Sequence, residues 1–121
     1  MTDAIVVDRS DAEANKGMAV LAYLGYLAII PFFAARQSPF VRFHLNQSVV
    51  LFVIAHVCMV PISCVSCGFA LVPFVGVFMT TLILVAVLAG LGTMMGIGIQ
   101  NALNLRTEKL PGIGDLFVAL R

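Results

Sequence analysis

Four small groups of residues in this chain carry side chains that do chemistry. The first is Cys64-Val65-Ser66-Cys67, a C-x-x-C. That spacing serves dithiol oxidoreductases, in which one thiolate attacks and its neighbour resolves. The second is Arg42, His44, Asn46 and Gln47, the densest set of hydrogen-bond donors in the chain. On a helix Arg42 and Asn46 share one face, as do Phe43 and Gln47. Such a set is a candidate site for a lipid headgroup or a protein partner. The third is His56, an ionisable residue inside an apolar run, and intramembrane ionisable residues are functional candidates by default. The fourth is Gly92-Thr93-Met94-Met95-Gly96, a G-x-x-x-G that lets helix backbones approach closely.

Each group also has a plain packing role. Cysteine is an ordinary small packing residue, and this pair falls late in a helix, away from the N-terminal dipole that lowers a thiol pKa. Cys58 stands alone, and three cysteines make no secreted disulfide framework. An interfacial arginine snorkels to lipid phosphate. His56 is expected to hydrogen-bond across helices to Tyr23 or Tyr26. His44 lies twelve residues from His56, about 18 Å along a helix, so the two cannot ligate one haem iron within a protomer. The glycine pair packs within the chain or against a second copy. No Ser/His/Asp set, phosphate loop, dinucleotide fingerprint or carboxylate pair is present, and no acid lies between Glu13 and Glu108. Acid–base catalysis inside such a segment has little to work with. The chain reads as a non-enzyme without cofactor or metal, with a Cys64/Cys67 dithiol oxidoreductase as the enzymatic alternative.

The elements that position these residues follow from hydropathy. Phe43–Asn104 contains no Lys, Arg, Asp or Glu. Of the 121 residues, 61% are hydrophobic and 11% charged, against ~25% charged in soluble domains. A helix needs ~20 apolar residues to cross ~30 Å of hydrocarbon, so this stretch is long enough to cross twice. A net charge of +1 implies no attraction to nucleic acid. Asp3, Asp8, Asp11 and Glu13 stand where a signal peptide would be basic, so the first apolar run is expected to be retained.

The expected fold is all-α and multi-pass, with three transmembrane spans. Met1–Lys16 is a polar tail. Gly17–Ala35 is the first span, roughly 28 Å long, with Pro31 bending or ending it. Ser38-Pro39 reads as an N-cap followed by proline at the first helical position. The second helix therefore starts outside the hydrocarbon, at the interface, and its span is Val49–Val72, kinked at Pro61. Ser63 and Ser66 stand near the carbonyl which that proline frees. Pro73–Gly76 is a tight turn, and Val77–Asn101 is the third span. Residues 106–121 form a tail in which Leu110-Pro111-Gly112 breaks the helix and Asp115 caps a short interfacial turn. Three spans put the termini on opposite sides. Arg36, Arg42, Arg106, Lys109 and Arg121 then share one side, against Arg9 and Lys16. The basic excess places the C-terminus and first loop in the cytoplasm.

Phe40-Val41-Arg42-Phe43-His44 with Gln47, preceded by Ala22-Tyr23-Leu24-Gly25 through Pro31, resembles a known family. The piece is similar to that of small bacterial membrane proteins grouped with the Tic-twenty component of the chloroplast inner-envelope import machinery. Asn101-Ala102 and Leu110-Pro111-Gly112-Ile113-Gly114 are similar to that family's tail. The resemblance covers most of the chain after Lys16. It implies a multi-pass protein of the bacterial inner membrane with no established chemistry. On this reading the chain is a structural or accessory membrane component. It acts through helix packing, surrounded by membrane lipids, with a membrane-protein partner or a second copy of itself. The remaining alternative is transport or a channel, which needs an oligomer because three helices enclose no useful pore.

Overall fold

The computed structural model describes residues 7–69, 72 and 74–113. Every described element is helical: α1 (Arg9–Leu21), a 3-10 turn (Gly25–Ala28), α2 (Ile29–Ala34), α3 (Pro39–Phe69) and α4 (Val75–Leu103). The expected turn Asp115–Leu120 lies outside the described residues.

Helix α1 begins inside what reads as a polar tail. Asp8 caps it, accepting from the Ser10 backbone N–H at 3.1 Å and the Ser10 hydroxyl at 2.6 Å. These bonds, the hydroxyl's first, hold the Asp8 carboxyl below its ordinary pKa. The chain then departs from the expected single rod over 17–35. Tyr23 and Leu24 donate back only three residues, to Val20 and Leu21, tightening the last turn. Gly25 comes next at φ +62°, a left-handed conformation that stops a helix and costs glycine little. Beyond the break there are only four residues of 3-10 turn and six of α2, the latter about 9 Å of helix. Pro31 neither bends nor ends α2. It sits in the first turn, where its missing N–H would have no helical partner in any case.

Ser38 caps α3 by accepting from the Val41 N–H at 3.2 Å, with Pro39 at the first helical position. Asp11 adds a second cap from outside the helix. Its Oδ2 accepts from the Ser38 hydroxyl at 2.7 Å and from the Phe40 N–H at 3.4 Å. A carboxylate beside the positive end of a helix dipole is well placed. The contact bears on the first of the three expected spans. Asp11 and Ser38 precede and follow the first apolar run, yet they touch, so the run leaves and returns at one end of the molecule.

Helices α3 and α4 form an antiparallel hairpin. Phe40 packs with Ala102 at one end, and Pro61 and Val65 lie across from Thr80 and Ile83 toward the other. Helix α3 continues through Pro61. Ser63 and Ser66 bond the carbonyls of Met59 and Ile62, not that of Val57, which the proline frees. Both helices are long and apolar enough to cross a membrane, and only 17% and 6% of their most apolar windows are buried. The core helix of a soluble domain would be buried through most of its length. With 31 residues, α3 is about 46 Å long. Its described buried residues all fall between Phe40 and Leu51, in the half nearer its start.

The core sits at that end. Ala12 and Ala19 of α1 pack on Phe40 and Ala102, and Ala22, Ala35, Val41 and Leu45 close a second cluster. Beyond Leu51 no described residue of α3 is buried. All described charges gather at the core end: α1, Arg36, Arg42 and the segment Arg106–Lys109. The polar N-terminal segment therefore shares an end with the first loop and does not face away from it.

Candidate functional site

The polar cluster 42–47 divides by helical face. Arg42 and Asn46, four apart, are half-buried on the outer side of α3. His44 and Gln47 point inward and are buried. Of the four expected headgroup or partner ligands, two are therefore internal ties. The Tyr23 hydroxyl and His44 Nδ1 share a hydrogen bond at 3.1 Å. The His44 ring is boxed edge-on by Tyr23, Phe40 and Phe43, with centroids 5.7, 4.7 and 5.3 Å away. Its Nε2 is buried with no partner in hydrogen-bonding geometry; the Arg106 backbone is the polar group beside it.

Gln47 Oε1 accepts from the Leu110 N–H at 3.0 Å, across 63 residues of sequence. Asn101 donates to the Glu108 carbonyl at 3.2 Å. Together they fold the segment after α4 back over the hairpin end, where Leu110 packs with Tyr23 and Leu51. These bonds answer the accounting that buried polar groups require. What they build is a clasp holding α1, α3 and the returning segment.

Tyr23 reaches His44 because position 98 is glycine. A Cβ there would overlap Cε1 and Cζ of the Tyr23 ring and lie 2.9 Å from Cδ1. Gly92 and Gly96 behave differently: a Cβ on either meets nothing within 4 Å. The G-x-x-x-G is thus unused by the described packing, and the glycine that admits a neighbour is the next one along. Sequence reading missed Gly98 and Asp11. Only a series of glycines on α4 and an acidic first turn on α1 hinted at them.

His56 is exposed and bonds its own helix, Nδ1 to the Phe52 carbonyl at 2.9 Å. The expected cross-helix bond to Tyr23 or Tyr26 is absent, since Tyr23 is taken by His44 and Tyr26 stacks edge-on against Phe52 at 5.4 Å. Cys64 and Cys67 are free and exposed on α3, and Cys58 is half-buried. Among the described residues no three His, Cys, Asp or Glu side chains gather around a common point.

A groove of about 510 Å³ opens beside the clasp, between α3, α4 and the 3-10 turn. Comparison with family models, curated proteins and solved structures finds no match to this chain.

Proposed function

We propose that this chain is a small membrane-embedded accessory component, of the bacterial Tic-twenty-like kind, that acts by packing against membrane partners rather than by catalysis. One observation carries the reading. The α3–α4 hairpin is free of charge over Phe43–Asn104 and predominantly apolar on its outward faces, while every described charge lies at its capped end. Val57, Val60, Val77 and Val85 are among many large apolar side chains left more than half exposed. A water-soluble monomer does not expose a continuous apolar surface of that extent.

On this reading the membrane is crossed twice, by α3 from about Val49 and by α4. Helix α1 and the broken run to Ala35 lie at one interface. Arg9, Lys16, Arg36, Arg42, Arg106 and Lys109 then share a side, and the basic excess places that side in the cytoplasm. Fluorescent-protein and phosphatase fusions at each terminus test it. Two spans predict cytoplasmic fluorescence from both ends. Phosphatase activity from the N-terminal fusion alone would restore three spans, and release of the chain from membranes by carbonate would remove the membrane reading.

A further inference from the structure

The groove between the hairpin and the broken apolar run has a position, a lining and a shape that together select an occupant. Its walls are Ser48 and Phe52 of α3, Leu88 and Gly92 of α4, and Tyr23 and Tyr26 from the turn between α1 and α2. Ser48 lies nine residues into α3, about 14 Å from its start, and the groove reaches Ala55, about 10 Å further. If α3 enters hydrocarbon near Val49, the groove occupies the upper part of one leaflet. Resting on the membrane reading above, we propose that it is a binding site for one acyl chain of a membrane lipid.

The lining argues for hydrocarbon. Of its three side-chain hydroxyls, two are already committed and the third belongs to Tyr26, which is mostly exposed at the mouth. Ser48 Oγ donates to the Leu45 carbonyl at 2.9 Å, and the Tyr23 hydroxyl is engaged with His44. A polar ligand passing the mouth would lose its hydration and find both inner hydroxyls engaged, at the cost that burial of an unpaired polar group carries. The surface around the mouth is continuous with the lipid-facing surface: Tyr26 is 80% exposed, Ile29 62% and Leu88 52%. The volume falls within the ~300–1,000 Å³ of small-molecule sites. Shape argues against a helix from a second copy. The outer wall is the 3-10 turn, whose Tyr26 ring stands edge-on to Phe52. A rod ~10 Å wide would have to break that contact, and a flexible chain need not.

Gly92 supplies the test, because a Cβ there enters open space. Gly92→Leu puts a branched side chain into the groove from a Cβ position that meets nothing. Gly96→Leu makes the same change one turn on, outside the lining. Wild type and both variants are purified from membranes in mild detergent, and bound phospholipid per protomer and copy number are read by native mass spectrometry. The wild type and Gly96→Leu are expected to keep a tightly held phospholipid. Gly92→Leu is expected to hold it about tenfold less well, the effect of displacing about two methylenes' worth of apolar contact. Equal retention in all three overturns the proposal, as does equal loss in both variants. A wild-type dimer that Gly92→Leu dissociates at unchanged lipid content also overturns it, and makes the groove a seat for a second copy. Carbonate extraction separates the two readings. Membrane residence with unchanged lipid retention sinks the groove alone, whereas release of the wild type sinks the membrane reading.

Discussion

Alanine at three glycines of α4 should have opposite effects on stability, although hydropathy treats the three alike. Gly92 and Gly96 face open space, so Gly92→Ala and Gly96→Ala should each stabilise the helix by up to about 1 kcal/mol. Gly98→Ala gains the same propensity but drives a methyl into the Tyr23 ring. Carbon atoms rest at ~3.5–4.0 Å, so the ring must retreat by an ångström or more. It has nowhere to go. Tyr23 is 3% exposed, packed against Leu51 and Leu110, and held by its hydroxyl at 3.1 Å from His44. Overpacking costs about 1–3 kcal/mol, and a strained or lost hydrogen bond about 0.5–1.5 kcal/mol more. After the propensity gain, the net loss should be about 1–3 kcal/mol. Denaturant titration in mixed micelles, followed by far-ultraviolet circular dichroism, reads all three variants. In a Tyr23→Leu background the penalty at 98 should shrink toward the values at 92 and 96. If Gly98→Ala behaves like its two neighbours in the wild-type background, Tyr23 does not rest on α4 and the clasp is wrongly drawn.

Other consequences stem from the same contacts. Asp11→Ala removes the cap that α1 places on α3 and should cost about 1–2 kcal/mol; a double-mutant cycle with Ser38→Ala should show coupling, and strict additivity would deny the contact. Gln47→Leu leaves the buried Leu110 N–H unpaired, a loss of about 1–3 kcal/mol, expected as faster hydrogen exchange confined to residues 106–113. Asp8 has a folded pKa below the 3.8 of a free carboxyl. Its capping contribution is therefore complete above that value and fades as pH falls through the lower folded one. Helicity of α1 should drop only in strong acid, and Ser10→Ala should move that drop to higher pH. In Tyr23→Phe the one remaining tyrosine, Tyr26, lies at the level of Phe52, so spin labels near the headgroup should quench it more than labels at the acyl terminus. Equal quenching by both would place the turn elsewhere.

Much of the frame is legible without coordinates. A charge-free, almost unbroken apolar run of this length reads as helix, because every backbone N–H and C=O in an apolar setting needs a partner and a helix supplies them within one segment. Ser38-Pro39 marks the start of α3 by local chemistry alone, since a cap and a fixed φ act within one turn. Residues 17–35 are another matter. Their hydropathy describes a span, but whether the chain stays helical past Leu21 depends on where the Tyr23 side chain finds burial. That place is made by Gly98 and His44, 75 and 21 positions away. The same holds for the polar residues of α3. Sequence ranks His44, Gln47 and His56 by type, yet the inward pair and the outward one differ only in which face meets α1 and the returning segment. Hydropathy, capping and glycine turns act over a few residues and are written locally. Pairings such as Asp11 with Ser38 and Gln47 with Leu110 exist only once distant segments meet, and those pairings decide which end carries the charge and which run of the chain turns back.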